Sequence, residues 1–287
     1  MLSIRSILVV IEPTAETDTQ QSPALNRACQ LAAVTGAHLH LLVCANAPED
    51  EGLLHALKAD VLADDCSVSA AQAWNGSVHR TVVEALRQEH CDLVIKQHRS
   101  DHPLKKALLT PDDWKLLREC PAPVLMVKGS RSWAEGVVLA AVDVGNPDAE
   151  HQSLHYEILH YGREIARVEN GQLRAVAAFP APALASAEPG LIEETSTQAR
   201  YEEACEQFCD QFELPREHLL LEAGPADVLI PSIAQRYQAV LAVLGTVARG
   251  GLSGALIGNT AEVVLDSLEC DVLVLKSEEL EARLEQA

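Results

Sequence analysis

The feature that most limits the fold is internal to the chain. Shifted by 148 residues, the sequence aligns with itself without a gap from about residue 74 to residue 128. Gly76 falls on Gly224, Leu93 on Leu241, Leu104 on Leu252 and Ala107-Leu108 on Ala255-Leu256. Leu117 falls on Leu265, and Val124-Leu125 with Lys128 fall on Val272-Leu273 with Lys276. Apolar character persists where identity does not, as at Ile95 and Val243. So long a period, with one array of strands and helices per copy, marks a duplicated domain and not a short-repeat solenoid. A chain of 287 residues has room for two such domains, each large enough to bury a core. We place them at residues 1–130 and 131–287, joined near Gly129–Trp133.

Within each copy, short apolar runs alternate with amphipathic stretches. Ser6–Glu12, Ala37–Cys44, Val68–Trp74, Asp92–Lys96 and Val124–Lys128 read as strands. Helices are predicted over Pro23–Thr35, 49–65, Ser77–Glu89 and Pro111–Glu119, with Gly36 ending the first. The second copy repeats the order. Its strands are Val137–Asp143, Leu173–Phe179, Leu219–Glu222, Val240–Gly245 and Val272–Lys276. Its helices are His151–Arg167, Glu193–Phe212, Ala226–Tyr237 and Ala261–Leu268, with a charged helical tail from Ser277. Pro180–Pro189 reads as loop. Strands rich in β-branched residues, each followed by a helix, predict right-handed βαβ crossovers and a five-stranded parallel sheet in each copy. Aromatics make up only 3% of the chain, so the core must be built from Ala, Val, Leu and Ile.

The net charge of −20 and the lack of a basic cluster beyond Lys105-Lys106 argue against a nucleic-acid partner. No apolar run is long enough for a membrane span, and Met1–Arg5 leads directly into a strand, so a cytoplasmic protein is expected. The eight cysteines form no Cys-x-x-Cys pair and are expected to be reduced and mostly buried.

Parallel α/β sheets bind ligands beyond the carboxyl ends of their strands. In the second copy two segments fall there, namely Asp143 after the first strand and the glycine-rich stretch Gly245–Thr260 after the fourth. Glycines let the backbone approach an anion, and the helix that follows presents free N–H groups. Asn259 or Thr260 can cap that helix. There is no Gly-Lys-Ser/Thr, so this is not a Walker loop. The same glycines would also serve a tight strand-to-helix packing.

Here the chain resembles the universal stress protein family, over essentially its whole length and once per copy. That family carries a Gly-x2-Gly-x9-Gly-Ser/Thr pattern after strand four and an Asp at the end of strand one. Gly245, Ala248, Gly258 and Asn259 fall on the pattern, and Asp143 on the strand-one position. The resemblance implies two tandem Rossmann-like domains of the adenine nucleotide alpha hydrolase-like type, with helices on both faces of each sheet. It implies that Asp143 faces an adenine while Gly245, Gly258, Asn259 and Thr260 line the ribose and phosphates. Ala248 adds a methyl where the pattern has glycine. In the first copy the same positions hold Gln97, Ser100, Thr110 and Pro111, with Glu12 for the Asp. Pro111 lacks the backbone donor a phosphate would use. ATP or another adenine nucleotide is therefore a candidate ligand for the second copy only. Family members also pair through the fifth strand. Val124–Val127 and Val272–Leu275 would thus hold the halves as an internal pseudo-dimer, with pairing of whole chains a further option.

The pairs His151/His155, Cys205/Cys209 and His98/His102 have i, i+4 spacing, yet no second pair converges on any of them in the sequence, and no metal site is assigned. No nucleophile elbow or Ser/His/Asp order is present, so no catalytic residue is assigned. The expectation is a non-enzymatic stress-response protein that binds a small ligand or a protein partner. The alternatives are an ATP- or AMP-binding switch in the second copy and a ligand-free interaction scaffold.

Overall fold

A computed structural model describes residues 4–13, 22–62, 66–98, 109–146, 148–180, 191–246 and 259–285. The apolar runs become strands because helices cover both of their faces. In β1 (Ser6–Ile11) every residue from Ile7 onward is buried, without the alternation of a half-exposed strand. The first half continues with α1 (Pro23–Thr35), β2 (His38–Cys44), α2 (Glu51–Leu62), β3 (Val68–Ala73) and α3 (Val78–Glu89). It closes with β4 (Leu93–Gln97), α4 (Pro111–Glu119) and β5 (Val124–Val127). The second half runs β6 (Val137–Ala141), α5 (Ala149–Val168), β7 (Gln172–Phe179), α6 (Leu191–Gln211), β8 (Leu219–Ala223) and α7 (Ala226–Arg236). Then come β9 (Leu241–Thr246), α8 (Asn259–Ser267), β10 (Asp271–Lys276) and α9 (Glu278–Glu285). A single 3-10 turn at Arg216–His218 precedes β8 and was not expected.

Each half has the expected parallel order, β3-β2-β1-β4-β5 and β8-β7-β6-β9-β10. The halves are not separate sheets. β5 and β10 pair antiparallel, with Met126 opposite Val272, Leu125 opposite Leu273 and Val124 opposite Val274. One ten-stranded sheet results. The seam residues are buried on both faces. Each such side chain contributes roughly 1.5–3 kcal/mol over an exposed one. Two apolar layers, one per face, run unbroken across the seam.

A polar clasp reinforces the seam. Asp271, buried at the start of β10, accepts from the backbone N–H of Lys128 at 2.8 Å through Oδ1. Through Oδ2 it accepts from Arg27 Nε at 2.9 Å and Trp133 Nε1 at 2.8 Å. The Arg27 guanidinium lies 4.5 Å from the Trp133 ring centre. A helix of the first half, the chain between β5 and β6, and a strand of the second half thus converge on one carboxylate.

Candidate functional site

β1 ends one residue, and β6 two residues, before the apolar runs suggest. Glu12 and Asp143 therefore lie just past them, each at the carboxyl end of its own half's parallel strands, where such an array binds ligands; because β5 and β10 pair antiparallel, these two ends lie on opposite edges of the ten-stranded sheet. The two halves use this end of their strands differently.

In the first half it is filled from within. The Lys96 ammonium, on β4, lies 2.6 Å from Glu12 Oε1 and 2.8 Å from Asp113 Oδ1. Asp113 is 0% exposed and Lys96 3%. His98 Nδ1 is 2.9 Å from Asp113 Oδ2, so with the carboxylate ionised Nδ1 carries the proton and donates it. Burial alone would raise the Asp113 carboxyl. The His98 hydrogen bond and the Lys96 charge outweigh burial and hold it well below the usual carboxylate range. Burial would likewise lower Lys96, and the two carboxylates raise it instead.

Asp113 also belongs to the start of α4. The Thr110 side chain accepts from Asp113 N, while Asp113 Oδ2 accepts from Thr110 N at 3.0 Å, a closed capping box with Pro111 in the first turn. A helix N-terminus attracts an anion. Here the protein supplies its own, and Lys96 balances it. The position that a phosphate would take at this terminus is thus occupied by the protein's own carboxylate, beside Pro111. Ser100 lies outside the described residues.

In the second half the same register carries Leu244, Thr246 and Ala261 in place of Lys96, His98 and Asp113. Leu244 is buried, and Thr246 turns its hydroxyl to the Leu275 carbonyl at 3.2 Å. At these three positions no charge takes the place of the first half's network. Asp143 is exposed; its Oδ1 accepts from Gly145 N at 3.1 Å. Its own N–H donates to His155 Nε2 at 3.1 Å. His155 is buried edge-on to Phe208, and burial followed by the neighbouring His151 lowers its pKa to about 4. A neutral imidazole therefore fixes the Asp143 turn from inside. Tyr201 of α6 lies against Gly145, where a Cβ would come within 2.8 Å of the ring, and tilts onto Phe179 at the end of β7.

The residues expected along the ribose and phosphates fare unevenly. Ala248 and Gly258 lie outside the described residues. Asn259 and Thr260 are both already helical at the start of α8, within the turn they were expected to cap. Gly245 is explained by packing. A Cβ there would come within 2.5 Å of Leu154 and 2.9 Å of Ile158, so α5 rests on bare backbone of β9. His155, Tyr201, Lys96 and Asp113 were not singled out as site residues. Lys96 did leave a trace in the sequence, a charge in an apolar strand whose counterpart is Leu244.

Two of the i, i+4 pairs have structural roles, and His102 of the third lies outside the described residues. His151 bonds to Asp148, which caps α5, and His155 holds Asp143. Cys205 and Cys209 are buried, and burial raises the Cys205 thiol to about 11. Burial also raises Cys44, Cys91 and Cys270 to about 12, which keeps these thiols protonated. Among the described residues no helix is long and apolar enough to cross a membrane.

Fold and edge together define a duplicated, doubly wound α/β protein whose strand ends are filled by an ion network in one half and carry Leu244, Thr246 and Ala261 at the equivalent positions in the other. A model of the universal stress protein family matches the chain twice, over residues 3–128 and 136–276. Universal stress protein E of Salmonella typhi is 32% identical over 74% of this chain and 69% of its own length. Universal stress protein E of Photorhabdus laumondii is 25% identical over 100% of this chain and 99% of its own. A solved protein of Pseudomonas aeruginosa PAO1, described as functionally unknown, is 50% identical with a TM-score of 0.89, covering 99% of this chain and 96% of that one. A universal stress protein of Archaeoglobus fulgidus shares the fold, at 16% identity and a TM-score of 0.65, over 96% of this chain and 99% of its own. The chain belongs to the universal stress protein family, in its tandem form, and the family supports a role in the stress response.

Proposed function

We propose that the chain is a non-enzymatic, cytoplasmic stress-response protein in which residues 131–287 form the ligand-responsive half and residues 1–130 a closed partner half. One observation carries this reading. The ion network of Glu12, Lys96, Asp113 and His98 fills the carboxyl ends of the first half's strands, while Asp143 stands exposed at the carboxyl ends of the second half's. An adenine nucleotide is the ligand the spacing of Gly245, Ala248, Gly258 and Asn259 favours.

Calorimetric titration of the full chain with ATP and AMP tests it. Binding with Kd below about 1 mM is expected, to one site per chain. Asp143→Ala and Gly258→Val should each remove it, and Lys96→Met should leave it intact. Absence of heat at that concentration, or two equivalent sites, would overturn the reading.

A further inference from the structure

Two clefts occupy equivalent places in the two halves, each at the amino-terminal ends of its own half's strands, away from Glu12 in the first half and from Asp143 in the second. The first, of about 750 Å³, lies where α3 ends and β4 and β5 begin, with α5 and α9 as its far wall. The second, of about 570 Å³, lies where α7 ends and β9 and β10 begin. The 148-residue register brings their linings together, with Arg87 on Gln235, His90 on Gln238 and Asp92 on Val240. At these three positions the first cleft is ionisable and the second is not, although Arg131, Glu269 and Asp271 also line the second.

The lysines that end the fifth strands differ in the same sense. Lys128 donates to the carbonyls of Leu265 and Leu268 at the end of α8. Its counterpart Lys276 lines the first cleft, is 4% exposed, and has no hydrogen-bond partner for Nζ among the described residues. A buried ammonium left this way is costly until something pairs with it. Burial lowers its pKa accordingly. Facing it are four carboxylates on the far wall: Glu157 of α5 and Glu278, Glu281 and Glu285 of α9. Burial pushes Glu281 up to about 7 against the pull of Lys276, and the other three glutamates add to the rise. Lys276 and Glu281 thus feel each other's charge without forming an ion pair. Arg87 donates to the Leu284 carbonyl at 2.9 Å and holds α9 in place over the cleft.

A lone ammonium on one side calls for an oxyanion, and a carboxylate wall opposite calls for a cation. We propose that the first cleft binds a small zwitterion of the amino-acid type, its carboxylate on Lys276 and its ammonium toward the α9 glutamates. A simple anion would satisfy Lys276 but meet four carboxylates. A diamine would satisfy the wall and leave Lys276 unpartnered. The volume lies within the range of small-molecule sites, about 300–1,000 Å³. Because β10 runs antiparallel to β5, the cleft lies on the same side of the sheet as Asp143, but neither Asp143 nor Gly245 lines it, and Asp143→Ala separates nucleotide binding from zwitterion binding.

Titration calorimetry of the full chain with glycylglycine and β-alanine as zwitterions, acetate as the anion and putrescine as the cation tests the proposal. At least one zwitterion should bind with Kd at or below about 1 mM, about tenfold or more tighter than acetate or putrescine. Lys276→Met and Glu281→Gln should each weaken it about tenfold with unchanged circular dichroism. Glu281→Gln keeps the shape of the wall and so reports on charge even if Lys276→Met disturbs packing. No zwitterion binding, equal binding of acetate or putrescine, or unchanged affinity in Glu281→Gln would overturn it.

Discussion

The two halves share a fold, a strand order and a long ungapped register, yet they treat the carboxyl ends of their strands in opposite ways. In the first, an ammonium and two carboxylates close these ends, and an imidazole supports one of the carboxylates. In the second, the equivalent of the ammonium is Leu244 and the equivalent of the central carboxylate is Ala261. On the function proposed above, the difference teaches that a duplicated α/β unit can close a ligand site by internalising its anion. The anion that a helix N-terminus attracts became a side chain, Asp113, and the countercharge became Lys96. A filled edge of this kind is rigid and self-satisfied. It suits a half whose task is to hold its neighbour through β5, β10 and the Asp271 clasp.

The largest effect should come from breaking the network on one side only. Asp113→Ala removes the carboxylate, leaves Lys96 buried with only Glu12, and opens the capping box. A loss of about 3–5 kcal/mol is expected in denaturant unfolding. Installing the second half's pair, Lys96→Leu with Asp113→Ala, should restore most of it, because no buried charge then lacks a partner. If Asp113→Ala alone costs under about 1 kcal/mol, the network is not the buried-charge element described here.

Gly245→Ala sharpens the comparison from the other side. The register places Gln97 at this position in the first half, so glycine is not a demand of the fold in general. It is a demand of α5, which approaches β9 closely enough for Leu154 and Ile158 to occupy the space of a Cβ. Overpacking there should cost about 1–3 kcal/mol by thermal or denaturant unfolding. A cost near zero would return Gly245 to a ligand role.

Much of this was legible in the sequence because it rests on periodicity. The duplication, the strand and helix order and the apolar fifth strands follow from patterns that the 148-residue shift doubles in strength. α1 covers the expected Pro23–Thr35 with Gly36 as its C-terminal cap, and α4 covers the expected Pro111–Glu119. What escaped was chemistry made by three-dimensional convergence. Lys96 and Asp113 are 17 positions apart, and neither is unusual until the fold buries both. Asp271, Arg27 and Trp133 come from three distant segments. Gly245 illustrates the opposite problem. Its place in a ligand pattern and its packing against α5 predict the same residue, and only the contact geometry tells which demand is met.

The smallest effects are in pH dependence, and the two titrating groups lean in opposite directions. His155 has its pKa lowered to about 4, so the native state binds fewer protons than the unfolded chain between there and about 6.5. Its contribution is therefore fully present above about 6.5 and is lost as pH falls toward 4. After discounting for partial solvent screening, the loss should be about 1–2 kcal/mol. His155→Gln keeps an acceptor for Asp143 N and should flatten this slope. Glu281 has its pKa raised to about 7, so the native state binds more protons than the unfolded chain from the usual carboxylate range upward. Its contribution to stability falls as pH rises toward 7, by about 1 kcal/mol once its partial exposure is allowed for. Glu281→Gln should remove that fall and stabilise the protein at pH 8, about a unit above the titration. Unfolding curves at a series of pH values for the parent and both variants separate the two slopes. Retention of the alkaline fall in Glu281→Gln would place its origin elsewhere, and the carboxylate wall of the first cleft would then be fully solvated.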